Sequence, residues 1–179
     1  MRNQSSRADD WIAEVLARYA DMVYRLAFAQ TRNQQDAEDV FQEVFLRLVR
    51  KQPAFECEEH RKAWLIRVTM NCCRTLWLSA WRRQTVLMDD EAWNAVPAAE
   101  KPEGDDRLEE ALSALPGRYR AVIHLFYEEE MTVGEIAEAL GAKPGTVRSQ
   151  LTRARKLLKR QLTNGEAKEH GQTGLSGHE

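Results

Sequence analysis

Apolar residues recur along the chain at three- and four-residue steps and almost never alternate with polar ones. Ile12, Leu16, Tyr19, Val23 and Leu26 form one such stripe, which predicts a helix from about Asp9 to Thr31. Val40, Phe41, Val44, Phe45 and Leu48 predict a second from about Gln35 to Arg50, stopped by Pro53. Trp64, Leu65, Val68, Cys72 and Leu76 predict a third from about His60 to Trp81. Periodicity then fails from Gln84 to Asp106, where Pro97 and Pro102 sit among acids and mark a linker. Two shorter helices follow, Arg107 to Leu115 and about Arg118 to Glu129, the latter burying Ala121, Val122, Leu125 and Phe126. Strand signals are nearly absent. The expected fold is therefore all-α, with two small helical domains over residues 8–83 and 107–162 joined by a flexible acidic linker over 84–106. A Gly-rich, polar tail over 163–179 is expected to be disordered, and the linker to let the domains move independently.

The second domain closes on the most specific stretch of the chain. Thr132 and Glu135 have the spacing of a capping box, and Ile136, Ala137 and Leu140 give the short helix after them one apolar stripe. Gly141 supplies a left-handed turn, and Pro144 suits the opening of the next helix. That helix carries Val147, Leu151, Ala154 and Leu158 on one face and Arg148, Ser149, Thr152 and Arg153 on another. This is the pattern of a helix-turn-helix whose second helix enters a DNA major groove. Arg148 and Arg153 are placed to reach guanine edges or phosphates, Ser149 and Thr152 to make shorter contacts, and Arg155, Lys156 and Lys159 to sit on phosphates or in solvent.

Composition at first argues the other way, because the net charge of the 179-residue chain is −2. The distribution of charge restores the case for nucleic acid. Arg61, Lys62, Arg67, Arg74, Arg82 and Arg83 form one block without an acid, and the helix-turn-helix end of the chain forms another. Acids from Asp89 to Glu110 separate them, as expected for two phosphate-facing modules on one chain. A different partner is implied for the second helix. Glu38, Asp39, Gln42 and Glu43 crowd its exposed side and suit an arginine-rich surface, although acids in a first turn also serve the helix dipole. No apolar span is long enough for a membrane helix, and the N-terminus has no secretory pattern. Cys57, Cys72 and Cys73 read as unpaired thiols of a reducing cytoplasm. His60 and His124 join no catalytic triad, and no metal-ligand spacing occurs, so no catalytic residue, metal or cofactor is expected.

In this order and at this spacing, three motifs carry a family resemblance. Asp36-Ala-Glu-Asp-Val-Phe-Gln-Glu-Val-Phe-Leu-Arg47, Ala63-Trp-Leu-Ile-Arg-Val-Thr-Met-Asn71, and Leu115-Pro116 with Gly145-Thr-Val-Arg-Ser149 and Arg153-Ala-Arg155 resemble a bacterial RNA polymerase sigma factor. The chain is most similar to the small extracytoplasmic-function group, which keeps only the second and fourth conserved sigma domains. The resemblance implies a cytoplasmic protein that binds RNA polymerase core and directs promoter-specific initiation. It assigns Glu38, Asp39, Gln42, Glu43 and Leu46 to the coiled coil of the polymerase β′ subunit. Phe55, His60, Arg61, Lys62, Asn71 and Arg74 fall to the −10 element as it opens, and Arg148, Ser149, Thr152, Arg153 and Lys156 to the −35 duplex. It further implies an anti-sigma factor as partner, with no direct membrane insertion of this chain. Arg61 stands where the family often has a second aromatic, and Thr75 and Leu76 stand where it often has an acid or amide followed by Tyr. The competing expectation is an autonomous dimeric helix-turn-helix regulator, which would need an N-terminal dimerisation or ligand-sensing domain. Binding to polymerase core separates the two.

Overall fold

A computed structural model describes residues 3–84 and 107–169. All but the first residue of the expected linker, and the chain beyond Glu169, lie outside the described residues. The N-terminal unit is built from α1 (Asn3–Thr31), α2 (Gln34–Lys51) and α3 (Glu58–Gln84), each packed against the other two. Most of each predicted stripe faces inward: Tyr19, Val23 and Leu26 of α1 meet Val40, Val44 and Leu48 of α2 and Leu65 of α3, while Val15 and Ile66 are fully buried where Ile12 and Leu16 are only partly so. Local chemistry sets the ends of α2. The Asn33 side chain accepts the Asp36 N–H at 2.9 Å, and Gln52, in a left-handed conformation, returns its own N–H to the Leu48 carbonyl at 2.9 Å.

The C-terminal unit consists of α4 (Arg107–Ser113), α5 (Gly117–Tyr127), α6 (Val133–Leu140) and α7 (Pro144–Glu169). Its helix-turn-helix follows the sequence closely. The Thr132 hydroxyl accepts the Glu135 N–H while the Glu135 carboxylate accepts the Thr132 N–H at 2.7 Å, and Gly141 ends α6 at φ 64°. Val147, Leu151 and Ala154 pin α7 to the core. Beyond Leu162, where the sequence pattern predicts the start of a disordered tail, α7 continues as helix to Glu169.

The largest departure from expectation is the relation between the units. They are not independent: α5 packs on α1 and α6 packs on α3, and one cluster of buried residues runs through both. Polar groups secure the join. Arg120, only 3% exposed, donates to the Ser113 carbonyl at 2.8 Å and the Leu115 carbonyl at 3.1 Å in its own unit, and to the Gln30 carbonyl of α1 at 3.1 Å. Burial, with Arg32 nearby, pulls its pKa down to about 10. Arg32 pairs with Glu109, and Arg25 reaches Glu129 at 3.1 Å. From α3, Arg67 donates to the carbonyls of Glu138 at 2.6 Å and Ala139 at 3.2 Å, at the C-terminal end of α6, where the helix dipole favours a cation. A charged side chain that satisfies helix-end carbonyls ties two elements together without an apolar patch that the sequence would betray.

Candidate polymerase and nucleic-acid interfaces

Three surfaces hold the residues singled out in the sequence. The first is the outer side of α2. Glu38, Asp39, Gln42 and Leu46 are exposed on the side opposite Val40, Val44 and Leu48. Glu43 is half-buried and accepts Arg47 Nε at 2.7 Å, so its charge is already shared within the helix. Gln34 likewise donates to Glu38 at 2.9 Å. Burial and the neighbouring Asp39 raise the pKa of Asp36, a sign of acids crowding this end of the helix. Leu46 at 46% and Val49 at 40% exposure give the acidic side an apolar continuation. Val49 escapes a sequence reading because the motif ends at Arg47.

The second surface is the turn before α3 together with the first half of that helix. Phe55 is half-buried, edge-on to Trp64 with ring centroids 5.8 Å apart, and the Arg61 guanidinium lies 5.6 Å from its centroid. Arg61 also pairs with Glu58 at 2.6 Å. Glu58 in turn accepts the Tyr19 hydroxyl at 2.6 Å, and burial together with this bond pushes the Tyr19 pKa up to about 12. Phe55 and Arg61 thus brace the turn as well as border it. His60 is exposed, with Nε2 3.8 Å from Glu138 of α6, and Lys62 donates to the Glu129 carbonyl at 3.4 Å. Asn71 and Arg74 are exposed further along α3. The structure therefore divides the six expected −10 residues: two brace the turn, two face the C-terminal unit, and two remain on the open side of α3. Arg67, a member of the basic block not assigned to the site, lies between these groups. Trp77 is half-buried, and the Trp81 side chain lies outside the described residues.

The third surface is one side of α7. Arg148, Ser149, Thr152, Arg153 and Lys156 are all exposed there, opposite Val147, Leu151 and Ala154. Ser149 and Thr152 return their hydroxyls to the carbonyls of Gly145 and Arg148, each at 3.0 Å, and each keeps acceptor capacity for a ligand. Arg155 leaves this group. It lies 5.5 Å and 5.7 Å from the ring centroids of Phe126 and Tyr127 and donates to the Tyr127 hydroxyl at 2.9 Å, so it serves packing. On α5, Arg118 is exposed and donates to the hydroxyl of its buried neighbour Tyr119 at 3.2 Å. This face is clear of the N-terminal unit.

Two family models match separate parts of the chain. The family model described as Sigma-70 region 2 matches residues 15–83, and that described as Sigma-70, region 4 matches residues 105–158. The chain is 37% identical over 157 residues to the ECF RNA polymerase sigma factor SigE of Mycolicibacterium smegmatis, covering 82% of this chain and 59% of that protein's length. It is 34% identical over 145 residues to the RNA polymerase sigma factor SigV of Bacillus subtilis, covering 78% of this chain and 84% of the relative. Among solved structures, the sigma factor RpoE of Bartonella quintana, crystallised with the anti-sigma factor NepR, superposes with a TM-score of 0.68 at 24% identity. That superposition covers 86% of this chain and 97% of the other, and the likeness is one of fold.

Proposed function

The chain belongs to the sigma-70 family of RNA polymerase sigma factors, in its extracytoplasmic-function group, and from that premise we propose how its surfaces divide the work of starting transcription. As a sigma factor it associates with RNA polymerase core and directs initiation to particular promoters. The outer side of α2 takes the core, through Glu38, Asp39, Gln42 and Leu46, with Glu43 and Val49 at its edge. The α7 face takes the −35 duplex through Arg148, Ser149, Thr152, Arg153 and Lys156. The start of α3 takes the −10 element as its strands part, with Asn71 and Arg74 on the open side and His60 and Lys62 joining once α6 has moved away. Phe55 and Arg61 shape that turn and border the strand.

One observation carries this division: an acidic and apolar helix face and a basic helix face are both exposed, on opposite units of one chain. A dimeric repressor has use for the second and none for the first. The chain supplies recognition, while the polymerase supplies the chemistry, and its place of work is where the polymerase is, in the cytoplasm. The join between the units is the natural target of an inhibitory protein partner of the kind found with the Bartonella relative. Such a partner would hold the units as they stand here.

Core binding tests the reading directly. Asp39→Lys combined with Leu46→Glu, both exposed, leaves helicity unchanged by circular dichroism and removes the chain from a core-polymerase pull-down. Retention at the parent's strength would move the core site elsewhere. Run-off transcription with core plus the parent chain, on genomic fragments, supplies the positive control.

A further inference from the structure

The turn between α2 and α3 is braced by a series of side chains that begins in the hydrophobic core. Tyr19 of α1 is 6% exposed, so packing fixes its ring and, with the ring, the position of its hydroxyl oxygen. That hydroxyl donates to Glu58 Oε2 at 2.6 Å, and Arg18 Nη1 lies 3.3 Å from the same oxygen. Glu58 Oε1 meets Arg61 Nη1 at 2.6 Å. The Arg61 guanidinium lies 5.6 Å from the ring centroid of Phe55, which is itself edge-on to Trp64. An ion pair at a surface usually contributes little, because two long side chains must be ordered to form it. This one differs on both sides. The carboxylate is already held by a hydroxyl fixed in the core, and the Arg61 side chain is only 15% exposed.

We propose that Glu58 is a positioning residue for −10 recognition: anchored on the Tyr19 hydroxyl, it holds Arg61 against Phe55 and so fixes the turn that receives an unstacked base. Aromatic rings and guanidinium planes are the surfaces on which a base stacks once it leaves the duplex. A platform that must order itself at that moment loses part of the stacking energy to side-chain entropy. Glu58 and Tyr19 do that ordering beforehand, although neither meets a base. Because Glu58 already neutralises Arg61, the guanidinium contributes stacking surface to the turn and not a free charge for a phosphate. This rests on the reading that the turn before α3 meets the −10 element.

The test uses the full chain assembled with core polymerase. The holoenzyme selects from fork templates that are duplex upstream and single-stranded through a randomised −10 region. Base preference at each position is compared between parent, Phe55→Ala, Glu58→Gln and Tyr19→Phe. A second pool, randomised only in the upstream duplex, reports −35 preference. Phe55→Ala should flatten the preference at one −10 position by roughly tenfold. Glu58→Gln keeps an acceptor for Tyr19 but loses the charge that holds Arg61, and should reduce preference at the same position by about three- to tenfold. Tyr19→Phe, which keeps the ring, should act in the same direction and less strongly. None of the three should move −35 preference, and Glu58→Gln added to Phe55→Ala should match Phe55→Ala alone. An unchanged −10 pattern for Glu58→Gln or Tyr19→Phe beside a flattened one for Phe55→Ala would overturn the proposal, as would an even loss across both pools. If Phe55→Ala itself leaves every −10 position intact, the assignment of this turn to the −10 element fails first and takes the proposal with it.

Discussion

At the scale of single residues, the side chains that decide the arrangement are charged ones meeting backbone or each other across long stretches of sequence. Glu129 is the clearest case. Its carboxylate accepts from Arg25 of α1 at 3.1 Å and lies 3.3 Å from His124 Nε2, with its side chain only 6% exposed. Burial would raise its pKa, but nearby His124 and the bonded Arg25 win and hold it below the ordinary glutamate value of 4.5. The folded state therefore binds this proton less readily than the unfolded chain. Glu129 contributes stability above pH 4.5, and that contribution is lost as pH falls through the depressed folded value. In urea titrations Glu129→Gln should be less stable than the parent at pH 7 by about 1–3 kcal/mol, and the gap should narrow toward pH 3. A constant gap across that range would mean that the carboxylate's charge contributes nothing. None of this is legible in the sequence: Arg67 to Ala139 and Arg120 to Gln30 join residues 72 and 90 apart, and an arginine that will meet a carbonyl looks like any surface arginine.

Elements behave in the opposite way, because their signals are local. The capping box at Thr132, the glycine turn at Gly141 and the proline at Pro144 each act within a few residues, and each appears where the pattern put it. Removing the cap isolates its share: Thr132→Ala should cost about 1 kcal/mol in chemical unfolding and leave the exposed residues of α7 in place. The apolar stripes are equally readable, since Val147, Leu151 and Ala154 can be buried only if Arg148, Ser149, Thr152 and Arg153 are not. Less legible is which basic residues of α7 are left unengaged by the protein itself. Arg155 and Lys156 are neighbours of like charge, yet a rotation of one residue along a helix takes Arg155 to the Tyr127 hydroxyl and leaves Lys156 outward. Lys156→Ala should accordingly weaken duplex binding by similar factors on all sequences and lower the slope of log affinity against log salt by about 1. A sequence-selective loss would make Lys156 a base reader instead.

For the whole molecule, the consequence lies in which faces the docking of the two units leaves open. The α2 face and the α7 face are both exposed, whereas Lys62 and Arg67 of α3 are engaged by backbone carbonyls around α6, and His60 lies beside Glu138. Glu135 and Glu138 of the C-terminal unit thus line one cleft with Lys62 at the basic start of α3. On the proposed division of surfaces, core binding and −35 binding would precede the separation of the units, and full use of the −10 surface would follow it. Arg67 offers a mild way to shift that balance, since it is exposed and its loss leaves no cavity in either core. A protease site placed within residues 90–100 would cut the covalent connection, after which the parent's two halves should still co-elute on gel filtration. Arg67→Ala should let them separate, most readily at high salt, while affinity for a −35 duplex stays unchanged. If the cut halves of the parent part on their own, the join is too weak to govern access to α3. If those of Arg67→Ala remain together under all conditions, the apolar contact of α5 with α1 is what holds the units, and the polar contacts of α3 with α6 only follow it.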